Sequence, residues 1–88
     1  MPIDIALIEG VEGLTQCRPH TRFLQHVYLI AAKTVSLPQQ CVSYRTTSQF
    51  KASVCQRAKD IGRPVVVAWK DGRLRTRDVV NVELVRDE

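Results

Sequence analysis

Apolar and polar positions change period along this chain, and each change marks an element. Residues 3–11 alternate with a period of two. Ile3, Ile5 and Leu7 share one face and Glu9 continues that parity as the chain nears Gly10 and Gly13, which predicts a first strand. Gly13, Pro19 and interspersed polar residues break any period over 13–21, so that stretch reads as a connection. From Arg22 to Val35 a β-rich run resumes with Phe23, Val27, Tyr28, Leu29, Ile30 and Val35. Leu24, Tyr28 and Ala31 also suit helical spacing, but the β-rich composition favours a second strand. Ser36-Leu-Pro38-Gln predicts a turn, because proline fixes φ and cannot donate to a ladder. Gln40 to Thr46 then reads as a third strand with Val42 and Tyr44 on one side.

The period changes to that of a helix at about 48–61. Ser48 or Thr47 can accept from the first free amides, and Phe50, Val54, Ala58 and Ile61 recur at helical spacing as the expected core stripe. Lys51, Gln56, Arg57, Lys59 and Asp60 belong on the wet side, and Gly62 supplies a left-handed stop. After Pro64, Val65, Val67 and Trp69 alternate with Val66 and Ala68, a pattern apolar on both faces that suits a covered fourth strand. On this reading Trp69 belongs with the core. Asp71-Gly72 turns the chain, and beyond the Arg73 to Arg77 loop Val80, Val82 and Leu84 alternate with Asn81 and Glu83 in a last strand.

Eighty-eight residues suffice for one domain over 1–88 and not for two independent cores. With 44% hydrophobic and 25% charged residues the chain has a globular composition, which excludes collagen-like and disordered classes. No apolar run approaches the roughly 18–20 residues that span a bilayer, so no membrane partner is expected. Met-Pro-Ile-Asp-Ile at the N-terminus carries neither a basic flank nor a cleavage site, and the expected location is cytoplasmic. Three cysteines, Cys17, Cys41 and Cys55, cannot all pair within one chain, in keeping with a reducing compartment. A small core without disulfides makes a homodimer a natural expectation.

Charge alters the picture most. The net +4 is concentrated: residues 45–77 carry nine Lys and Arg against Asp60 and Asp71, whereas the first 44 residues are balanced and the last eleven are acidic. A basic stretch of this kind is the electrostatic footprint of a phosphate-bearing partner.

Three strands, a helix and two more strands give an all-β or mainly β chain in the order of the OB-fold, a five-stranded Greek-key barrel. The text from Thr47 to Lys70, with a helix ending in Gly62-Arg-Pro64, a Val-rich strand, a polar loop and the closing Asp78-Val-Val-Asn-Val-Glu-Leu-Val85, resembles the second half of OB-fold single-strand nucleic-acid-binding domains. The resemblance covers under half the chain. It implies a ligand track over the outer face of strands two and three, framed by the loop between strands one and two and the loop between strands four and five. Lys70, Arg73, Arg75 and Arg77 occupy the latter and, with Arg45, are candidate phosphate contacts. Tyr28 and Tyr44 are candidate stacking platforms, and His26 shares the parity of Tyr28.

Catalytic patterns are weak by comparison. Cys17 and His20 stand at zinc-like spacing, but Cys41, Cys55 and His26 form no second close pair, and no Gly-rich phosphate loop or paired acids appear. The expectation is therefore non-catalytic binding of single-stranded DNA or RNA, with no cofactor and no metal. The alternatives are a protein-interaction or self-assembly module built on the same barrel and, after it, a small cysteine-dependent enzyme.

Overall fold

A computed structural model describes residues 2–17, 24–72 and 76–85. Six elements follow one another: β1 (Ile3–Cys17), β2 (Leu24–Thr34), β3 (Cys41–Thr46), α1 (Gln49–Ile61), β4 (Val65–Asp71) and β5 (Arg77–Leu84). The strands close into a barrel of order β1-β2-β3-β5-β4. Every pairing is antiparallel except β3 with β5. The expected five-stranded OB-like barrel, with its helix between strands three and four, is the architecture of the chain.

Closure depends on the length of β1. Its first residues pair with β4, Ile3 opposite Ala68 and Ala6 opposite Val65, and the remainder pairs with β2 as far as Cys17 opposite Leu24. One strand thus serves both sides of the seam and leaves no open edge there. The expected connection at 13–21 begins later than the sequence suggests, because Gly13 and Leu14 still pair with Tyr28 and Val27.

A bulge between Ile8 and Gly10 bends β1 and reverses which parity points inward. Before it, Ala6 and Ile8 are buried in the core; after it, Val11 packs there opposite Ile30. The set Ile3, Ile5 and Leu7 therefore faces outward, and Ile5 is 47% exposed. Both parities of this strand are apolar, so alternation alone does not choose between them, and the narrow interior takes the face that carries Ala6.

The core gathers Ile30, Ala32, Tyr44, Val65, Val67 and Val82, with Ala6 and Ile8, around the barrel axis. Each buried valine or isoleucine among them contributes about 1.5–3 kcal/mol relative to exposure. On β5 a second register shift, opposite Ala68 and Trp69, sets Val79 rather than Val80 across from Trp69. Trp69 and Val79 consequently both pack against the core, the place expected for Trp69.

Helix α1 lies against the barrel from β1 round to β5. It starts where expected, the Ser48 hydroxyl accepting from the Lys51 N–H at 3.3 Å, and ends at Gly62 with φ 70°, whose N–H donates to the Lys59 carbonyl at 3.2 Å. The face it buries differs from the expected stripe. Ala52, Cys55 and Ala58 are buried and Val54 half-buried, whereas Phe50 is 77% and Ile61 51% exposed. Small side chains let the helix axis approach the barrel closely, and that approach outweighs the larger hydrophobic area of Phe50.

Candidate nucleic-acid interface

Within the barrel, side chains from four strands converge. Asp4 of β1 is the charged member of the inward parity that Ala6 and Ile8 continue, and Tyr44 of β3 lies opposite Arg77 of β5. The Tyr44 hydroxyl donates to Asp4 Oδ2 at 2.7 Å, and Arg77 Nη1 donates to the same oxygen. The guanidinium of Arg77 also lies over the Trp69 ring, 4.2 Å from its centroid. One carboxylate thus ties β1 to β3 and β5, while the cation covers the indole from β4. Burial, followed by the hydrogen bond and charge of Asp4, pushes the Tyr44 hydroxyl above the usual tyrosine range; Arg77 pulls it the other way.

This cluster corrects the expectation for Tyr44. Tyr44 is fully buried, so it offers no stacking surface to a ligand. Its parity with Val42, read correctly from the sequence, is the inward parity of β3. Arg77, the other expected contact in this cluster, has its charge matched by Asp4 and its face matched by Trp69. Asp4 is the residue that sequence reasoning missed. The available signal was a lone acid among the apolar residues Ile3 to Ile8, but its cation lies 73 positions away.

Tyr28 lies on β2 opposite Thr46 and beside α1. It is half-buried, and its ring crosses Gly13, where an added Cβ would stand 3.4 Å from Cε1. Together with Val11, Gln49, Ala52, Ser53 and Gln56 it lines a recess of about 250 Å³ between α1 and the barrel. His26 is exposed farther along the same strand. With Tyr44 buried in the core, the two tyrosines therefore do not line one groove.

Two of the expected contacts do meet on the outside. Lys70 and Arg45 are both cross-strand neighbours of Asp78, so β4, β5 and β3 present a Lys70–Asp78–Arg45 row beside the β4–β5 connection. Lys70 is exposed and Arg45 half-buried. The hairpin closes tightly behind them: Gly72 N–H donates to the Thr76 carbonyl at 3.0 Å, and a Cβ on Gly72 would come within 2.7 Å of Asp78 Oδ1. Arg73 and Arg75 lie outside the described residues, as do His20 and the side chain of Cys17.

The rest of the β2–β3 outer face is plain. The register sets Leu29 against Arg45, Ala31 against Ser43 and Lys33 against Cys41, with no aromatic ring in these rows. Arg57 and Lys59 are exposed on α1, so part of the basic excess is carried on a separate element. Among the described residues no three His, Cys, Asp or Glu side chains group as metal ligands, and no helix is long and apolar enough to cross a membrane. No family model, curated protein or solved structure matches the chain.

Proposed function

We propose that this barrel binds single-stranded nucleic acid without catalysis, through the basic β4–β5 connection and the adjoining outer face of β2 and β3. The observation that carries the reading is the Lys70–Asp78–Arg45 row, which sets two cations from distant parts of the sequence on one outward face beside that connection. The OB-like strand order adds support, because ligands of such barrels run across strands two and three. With no ring on the outer rows, affinity comes from phosphate contacts and depends steeply on salt.

Fluorescence anisotropy with labelled single-stranded DNA, single-stranded RNA and duplex at two salt concentrations tests the proposal. Single strands are expected to bind at low salt, with affinity falling as salt rises. Replacing Lys70 by Ala should reduce the magnitude of the salt slope by about 1. Absence of binding at low salt overturns the reading. A second reading, in which the same barrel is an assembly module, is favoured by the exposed aliphatic side chains along β1.

A further inference from the structure

We infer that the outer face of β1, where it runs between β2 and β4, is a self-association surface on which a second copy of this chain docks. Ile5 occupies its centre. The N–H of Val35, the residue after β2, donates to the Ile5 carbonyl on one side, and Val66 is the register partner of Ile5 on the other, which gives an aliphatic row from the end of β2 across β1 to β4. Ile3 lies one step along beside Ala68, and Leu7 one step the other way beside Lys33. Ile3 is 64% and Val35 68% exposed. An outward sheet face in contact with water is ordinarily polar, and a contiguous apolar patch on it marks an interaction surface.

Charge selects the occupant. No ionisable side chain stands among Ile3, Ile5, Val35 and Val66; at the border Lys33 and Glu9 pair at 3.4 Å while both remain about half exposed, and Glu83, the register partner of Val66, is exposed on the β5 side. An acidic protein or an anionic membrane would be drawn by an uncompensated basic rim, which this border lacks. A two-fold axis through the patch sets the same surface against itself, so aliphatic meets aliphatic and Glu9 of one copy can face Lys33 of the other. The pair is thus complementary to its own rotated image.

Topology agrees. In the closed order β1-β2-β3-β5-β4, β1 lies across the barrel from the β3–β5 seam that carries Arg45 and Asp78. Two chains of net charge +4 joined through β1 keep their basic rows on opposite outer sides, where repulsion is least. At Ile5 and Ala6 β1 is bonded on both sides, to Val35 and Thr34 and to Val66 and Val65, so the association at the centre of the patch is face to face and not an added strand.

Sedimentation equilibrium of the full chain without nucleic acid, over the micromolar range, tests the inference. The wild type should have the mass of two chains at the upper end, and Ile5→Lys the mass of one. Val35→Glu is the second variant, with far-ultraviolet circular dichroism showing that each retains the fold. Lys33→Glu should weaken the dimer, and adding Glu9→Lys should restore it. A wild type with the mass of one chain throughout, an open-ended series of larger species, or an undiminished dimer in folded Ile5→Lys and Val35→Glu would each overturn the inference. Since no nucleic acid is present, such a failure is separate from any failure of phosphate binding.

Discussion

Tyr44 and Asp4, forty residues apart, meet at 2.7 Å through a hydroxyl that donates to a carboxylate, and this contact joins the first strand to the middle of the barrel. Replacing Tyr44 by Phe keeps the ring in the core and removes only the donor, while Arg77 still serves the same oxygen. The expected loss is about 1–2 kcal/mol, the range for a hydrogen bond to a charged acceptor. Tyr44→Ala also empties the site of a buried ring and should cost about 3–5 kcal/mol. Urea midpoints of the two variants measure the difference; equal losses would show that the hydroxyl carries the whole effect and the ring none.

Alkaline pH should weaken the fold in two overlapping windows. Burial raises the Cys55 thiol from 9.0 to about 11, and the Tyr44 hydroxyl is raised above its ordinary 10.0. In each case the unfolded chain loses its proton first, so the folded state holds more protons at high pH and stability falls as pH rises. The contribution of each group is complete below its unfolded value. Loss begins above about pH 9 through Cys55 and above about pH 10 through Tyr44. Urea midpoints between pH 8 and pH 11, in these approximate windows, should show a shallower decline for Cys55→Ala and for Tyr44→Phe than for the wild type. An identical decline in all three would exclude these groups as its source.

The face by which α1 docks makes a third expectation, since Phe50 lies in water and Ala58 against the barrel. Phe50→Ser should change stability by no more than about 0.5 kcal/mol, as for an ordinary surface position. Ala58→Leu should cost about 1–3 kcal/mol by forcing the helix off the core. Thermal or urea unfolding measures both, and Phe50→Ser decides between the two faces, because the stripe Phe50, Val54, Ala58 and Ile61 as a docking face demands a large loss at Phe50.

The order of elements was legible because period, cap and stop agreed around the helix: alternation on either side, Ser48 before it and Gly62 after it. Facing was less so. On β1 both parities are apolar, and the bulge between Ile8 and Gly10 that reverses them has no signal beyond Gly10 itself. On α1 the large side chains suggested a core stripe, but a barrel of this width accepts Ala52, Cys55 and Ala58. The candidate site divided on the same grounds. Arg45 and Lys70 could be placed from strand parity and the Asp71-Gly72 turn. Arg77 could not, because what occupies it is Asp4, brought near only by closure of the barrel.

Arg77 and Arg45 should therefore separate stability from binding. Arg77 holds a carboxylate whose side chain is 15% exposed, and its removal leaves Asp4 with Tyr44 as its hydrogen-bond donor among the described side chains. Arg77→Ala should destabilise the barrel by about 1–3 kcal/mol, the cost of losing a hydrogen bond to a charged group in a mostly buried site. Its effect on single-strand affinity, measured well below the unfolding transition, should leave the dependence on salt unchanged, because Arg77 releases no counterion from phosphate. Arg45 lies on the outer row next to Asp78. Arg45→Ala should alter stability by about 0.5 kcal/mol or less and reduce the magnitude of the salt slope by about 1. Urea unfolding and anisotropy titrations on both variants form one comparison. The assignment of Arg77 to structure and Arg45 to ligand fails if Arg77→Ala flattens the slope as Arg45→Ala does while keeping the wild-type midpoint.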